Sequence, residues 1–157
     1  MEAVFVNPVL LACSSILKTL LFEDIKLGNI RVLKSHKLDG CLAIMIWMSG
    51  DLNGRFIFSM TRETALRISS IMMGCKNEEL DKIAKSAIAE MSSMILGRSG
   101  IIYSERNINV IISCPTIVEG DNISILPLKG RDKGKILKIP LIMKSGDVVD
   151  VRIEQQA

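Results

Sequence analysis

The chain has 157 residues, 48% of them apolar and 24% charged, with a net charge of only +3. That length fits one domain, residues 1–157, with a sizeable core, and the balance of charge and hydrophobicity argues against both disorder and a strong nucleic-acid field. Aromatic residues make up 4% and are not interleaved with basic ones, so the usual platform for stacking single strands is missing and no nucleic-acid partner is expected.

The opening residues, 1–6, read as extended. Asn7 with Pro8 then reads as a helix start, a polar cap followed by proline at the first helical position. The helix should run over 8–22, because Val9, Leu10, Cys13, Ile16, Leu17, Leu20 and Leu21 recur at helical spacing. Ser14, Ser15, Lys18 and Thr19 interrupt its apolar run short of the ~18 residues a membrane span needs. With Glu2 near the start and no basic segment before it, the stretch does not read as a signal peptide. No membrane association is expected, and the chain should stay in the cytoplasm.

From 25 to 59 the period changes to two. Residues 30–33, the apolar run 41–48 and residues 55–59 read as strands of a meander, with turn chemistry at 49–54 and burial of the middle run on both faces. Thr61 should cap a short helix over 62–73 that Gly74 ends, burying Ala65, Leu66, Ile68, Ile71 and Met72.

A longer helix should follow over 77–97, capped by Asn77, with Glu78 and Glu79 in its first turn and Gly97 as its stop. At 100° per residue, Leu80, Ala84, Ala87, Ile88, Met91 and Ile95 gather on a core face. Ser86, Glu90, Ser93 and Gly97 gather almost opposite, a stripe of small residues with one carboxylate above it. Such a stripe is either solvated surface or a place where a partner comes close. Beyond it come strands over 107–114, 122–128, 136–143 and 148–154, a basic loop over 130–135 and a hairpin turn over 144–147. The order α-βββ-α-α-βββ, with the less regular 122–128 as an optional further strand, makes an α+β fold in which helices cover a mainly antiparallel sheet.

No phosphate loop, nucleophile elbow or metal motif is present; residues 97–100 read as a helix C-terminal turn. Cys13, Cys41, Cys75 and Cys114 are widely spaced beside apolar segments and read as reduced packing residues. His36 lies in a polar Lys-Ser-His-Lys segment and reads as solvent-exposed. No metal site is expected from such scattered ligands.

The spacing Ser86, three residues, Glu90, two residues, Ser93, twenty-one residues, Pro115 resembles the signature of the CheC/CheX chemotaxis phosphatases, which runs Asp or Ser, x3, Glu, x2, Asn, x21, Pro. It departs at Ser93, where the family has asparagine. Phe5-Val6-Asn7-Pro8, Pro115-Thr116 followed by Gly120, and the order of elements extend the resemblance, to CheX in particular, over essentially the whole chain.

The resemblance implies a CheC-like fold and a phosphorylated CheY-like receiver domain as partner, its aspartyl phosphate hydrolysed by a positioned water without a covalent intermediate. It implies no cofactor of the chain's own, Mg²⁺ being carried by the receiver, and a homodimer with sheet edges pairing across subunits. Glu90 would pair with the receiver's active-site lysine and dock the helix, Ser93 would take the water-positioning place, and Ser86, Gly97 and Pro115 would shape the surface. A serine hydroxyl is about two heavy atoms shorter than an asparagine amide and offers one rotatable group. A receiver-binding module of weak or no activity is therefore the alternative, and a purely structural dimer a third reading.

Overall fold

The computed structural model describes residues 1–38, 40–129 and 135–156, excluding the side chain of His36. The elements run α1 (Ala3–Leu21), β1 (Ile25–Leu27), β2 (Arg31–Leu33), β3 (His36–Lys37), β4 (Leu42–Gly50), β5 (Asn53–Met60), α2 (Arg62–Met73), α3 (Lys82–Glu105), β6 (Val110–Ile112), β7 (Thr116–Glu119), β8 (Ser124–Ile125), β9 (Ile136–Met143) and β10 (Val148–Gln156). The expected exposure of His36 and most of the expected basic loop, residues 130–134, fall outside the described residues.

The main sheet has the order β1-β9-β10-β5-β4-β6, with β2 also on β9 and β7 also on β4. Every described pairing is antiparallel. One face of this sheet packs on the helices. Ile44, Ile46, Phe56, Phe58, Ile139, Leu141, Val149, Val151 and Ile153 are fully buried there with Val9, Leu17, Ile88 and Met91. The other face carries a small core of Leu38, Ala43, Ile57 and Ile123 beside the separate β3–β8 pair. Residues 42–44 are thus buried from both sides, but the burial on both faces expected over 41–48 does not extend along the whole run, because Cys41 and Met45 are half-buried and Trp47 is exposed.

The predicted meander is only partly correct. β4 and β5 form a hairpin, but β1 and β2 pair with β9, at the opposite side of the sheet from β4. Alternation identifies a strand and its buried face; it carries no information about the neighbour. The strand β7 was not anticipated, while β9 and the β9–β10 turn follow the prediction, with Gly146 at φ 92° in the turn.

Helix α1 begins five residues earlier than Pro8, and residues 3–6 are helical rather than extended. Pro8 therefore lies inside the helix and removes one backbone donor. The first turn is held by tertiary contacts instead. The rings of Phe5 and Phe56 lie 5.3 Å apart, and the Tyr103 hydroxyl donates to the Phe5 carbonyl. In length and composition α1 would suffice to cross a membrane, yet Phe5, Val9, Ala12, Cys13 and Leu17 are fully buried against the sheet and the other helices. These contacts make it a core helix.

Helix α2 has the predicted bounds and both predicted caps. Thr61 accepts from the Thr64 amide, and Gly74 takes the left-handed conformation at φ 67°. Ala65 and Ile68 are buried, whereas Leu66, Ile71 and Met72 are half-buried. Helix α3 is displaced from its prediction at both ends. Asp81, not Asn77, is its cap, accepting from the Ala84 amide at 2.8 Å. Asn77 instead closes the α2–α3 connection through Ser69 and Ser70. The helix also runs through Gly97 and Gly100, so residues 97–100 are not a terminal turn. Buried Ser99 and Tyr103 continue its core face, and an added Cβ at Gly100 would lie 3.3 Å from Ile112 Cδ1, so glycine lets helix and strand approach.

All four cysteines are free, but they are not all packing residues. Cys13 is buried, Cys41 half-buried, and Cys75 and Cys114 exposed.

Candidate functional site on helix α3

The core face of α3 holds Ala84, Ile88, Met91 and Ile95, all fully buried. Ala87, assigned to that face from the sequence, is half-buried, and Leu80 is buried but precedes the helix. Opposite, Ser86, Glu90 and Gly97 are exposed and Ser93 is half-buried. The helix thus brings four of the five predicted site residues onto one outward face. Pro115 is half-buried in the connection between β6 and β7, two strands that both pair with β4.

Helix α3 is tied to this connection from two sides. Gly100 approaches Ile112 on β6, and Lys85 Nζ donates to Glu119 Oε2 on β7 at 2.7 Å. The latter contact occupies the cation nearest Glu90 along the helix. The neighbours of Glu90 at three and four residues are Ser86, Ala87, Ser93 and Met94, none of them charged. Among the described residues its carboxylate has no hydrogen bond or ion pair, and neither has the Ser93 hydroxyl. A carboxylate in that state is available to a cation from another molecule.

Ser86, Ser92 and Ser99 of the helix are engaged. Ser86 Oγ donates to the Lys82 carbonyl at 2.8 Å, which keeps it low against the helix. Ser92 is fully buried and donates to the Ile88 carbonyl at 3.1 Å, so it is turned away from Ser93. An added Cβ at Gly97 would meet nothing within 4 Å, so no contact among the described residues explains that glycine.

The site is a convex helix face, and a cleft elsewhere does not include it. A cleft of about 490 Å³ near the N-terminus of α2 is lined by Lys37, Cys41, Thr61, Arg62 and Asp121 among others, but by none of the five site residues. Among the described residues no group of three or more His, Cys, Asp or Glu could hold a metal ion. What the face offers chemically is a free carboxylate and a free hydroxyl one turn apart, placed to meet a protein surface.

The sequence reading missed Ile83, Met94 and Ile101, which are exposed by 64%, 37% and 51% on the same side of α3. Their signal was in the helical arithmetic, which places all three off the core face, but a helix ended at Gly97 leaves Ile101 out. Buried Arg55 and Glu154 were missed as well. Arg55 Nε donates to Glu154 Oε2 at 2.7 Å on the face of the sheet away from the helices.

This architecture is that of the CheC-like proteins. The chain is similar to the solved structure of a CheC-like superfamily protein from Shewanella sp. PV-4, with TM-score 0.82 and 23% identity over 98% of this chain and 99% of that one. Residues 42–139 match the family described as chemotaxis phosphatase CheX, and the chain belongs to that family. It is also similar to the CheY-P phosphatase CheX of Thermotoga maritima, 29% identical over 98% of this chain and 96% of the relative. A third similarity is to the CheX–CheY–BeF3–Mg²⁺ complex from Borrelia burgdorferi, with TM-score 0.80, 23% identity and 97% of each chain covered.

Proposed function

We propose that this chain is a phosphatase of a CheY-like response-regulator receiver, docking through the outward face of α3 and promoting hydrolysis of the receiver's aspartyl phosphate. The observation that carries the reading is the exposed Glu90, unpaired among the described residues and one helical turn from Ser93, in the spacing of the CheX family. Glu90 would pair with the receiver's active-site lysine. The Ser93 hydroxyl would hold a water in line with phosphorus; the water oxygen bonds to phosphorus as the bond to the aspartate oxygen breaks, releasing phosphate. Positioning of this kind, with Mg²⁺ on the receiver neutralising charge, is the main contribution such an enzyme makes to phosphoryl transfer.

Ser86, kept low by its bond to the Lys82 carbonyl, and Gly97 would admit the receiver's surface, and Pro115 would shape the neighbouring loop. One core spanning α1, α2, α3 and the main sheet supports treating the chain as one functional unit, and a CheY-like receiver partner would place it in the cytoplasm. β1 and β6, at the two ends of the strand order, are the edges through which a homodimer would pair.

One observation favours a second reading, a receiver-binding module without hydrolysis. Ser93 replaces the family's asparagine, and inward-turned Ser92 offers no substitute. Loss of aspartyl phosphate from receivers of the same organism, followed with wild type, Glu90→Ala and Ser93→Asn, separates the two. Acceleration by wild type that Glu90→Ala abolishes supports the phosphatase. Binding without acceleration, with hydrolysis gained by Ser93→Asn, supports the module.

A further inference from the structure

Ile83, Ser86, Glu90, Met94, Gly97 and Ile101 are all exposed and follow one another at steps of three, four, four, three and four residues. Those steps keep side chains in a single line along a helix, here about 27 Å long. Half of the six are large and apolar, at the two ends and beside the carboxylate, with exposures of 64%, 37% and 51% for Ile83, Met94 and Ile101. Elsewhere on α3, Ile88, Met91, Ile95, Leu96 and Tyr103 are packed in the core and Ile102 is half-buried. The ridge holds one charge and no cation.

We propose that Ile83, Met94 and Ile101 form the apolar part of the receiver-docking surface, giving most of the affinity while Glu90 sets the orientation. This rests on the receiver-phosphatase reading of the same face. The occupant it fits is a receiver surface with an apolar patch on either side of a lysine, because among the described residues Glu90 has no cation and Lys85 is held by Glu119. A second copy of this chain fits less well, since its own ridge would bring a second Glu90 and no cation. Gly97, open to added atoms, lowers the ridge between Met94 and Ile101 and lets a partner's backbone approach.

The test is titration calorimetry and steady-state dephosphorylation with a receiver that wild type dephosphorylates, trapped for the binding arm with beryllofluoride and Mg²⁺. The variants are Ile83→Ala/Ile101→Ala and Glu90→Ala; alanine retains helix propensity at solvent-facing positions. In the double variant Kd and KM should rise about tenfold or more, the scale of two lost apolar contacts, with kcat within about twofold. An unchanged Kd, beside lost binding in Glu90→Ala, overturns the ridge and leaves the phosphatase reading intact. Wild type that neither binds nor dephosphorylates any receiver of its organism removes that reading and the ridge with it. A dimer lost only in the double variant assigns the ridge to a second copy and overturns the proposal.

Discussion

Lys85 Nζ lies 2.7 Å from Glu119 Oε2, an ion pair that ties the second turn of α3 to β7, the strand that follows Pro115. Glu119 is 45% exposed, so solvent screens the pair and its effect on stability should be below about 1 kcal/mol. Its consequence lies in placement. Lys85→Met should shift the thermal midpoint by a few degrees at most, yet slow receiver dephosphorylation several-fold, with Lys85→Arg recovering most of the rate. An unchanged rate in Lys85→Met would show that the pair does not position the helix face.

Gly97 offers a way to separate stability from docking. Alanine is favoured over glycine inside a helix by about 1 kcal/mol, and an added Cβ at Gly97 meets nothing within 4 Å. Gly97→Ala should therefore raise the urea midpoint while weakening the receiver complex. Gly100→Ala, whose Cβ would crowd Ile112, should stabilise less. Equal receiver affinity in wild type and Gly97→Ala would mean that no partner approaches at that position.

The buried Arg55–Glu154 pair should dominate the stability of the second face. Glu154 also accepts from the Leu128 amide at 2.9 Å, and Arg55 Nη2 donates to the Leu126 carbonyl at 2.7 Å, so the pair holds the chain segment that crosses this face. Removing one partner of a buried pair typically costs about 3–5 kcal/mol. Glu154→Ala should lose that much in urea unfolding. Because the Arg55 guanidinium sits 5.3 Å from the centre of the Trp47 ring, tryptophan emission should change with it.

Burial pushes the Cys13 thiol from 9.0 up to about 12. Below pH 9 the thiol keeps its proton whether the chain is folded or not. Above that the unfolded chain releases it first and binds fewer protons than the native state, so stability falls as pH rises from 9 towards 12. Tyr103, also raised by burial, acts in the same direction. Cys13→Ala should flatten the alkaline loss measured by thermal melting. In native protein at pH 8, Cys75 and Cys114 should react with a thiol reagent well before Cys13.

Much of the candidate site was legible because a helix converts spacing into direction without reference to anything else. Ser86, Glu90 and Gly97 face outward wherever α3 begins, and the Thr61 and Gly74 caps of α2 rest on contacts within a few residues. The ends of α1 and α3 were decided elsewhere. Residues 3–6 are helical because Phe5 is anchored by Phe56 and Tyr103, and α3 passes Gly97 because Ser99 and Tyr103 still find the core. Length and composition determined that this chain would bury a core, and periodicity determined its α+β class and which faces would be inside. The tertiary structure alone decided that β1 and β2 lie on β9, that Arg55 and Glu154 meet, and that Lys85 turns to Glu119. Each of these joins residues far apart in the chain, and the last of them engages the cation nearest along the helix to Glu90, whose carboxylate has no partner among the described residues.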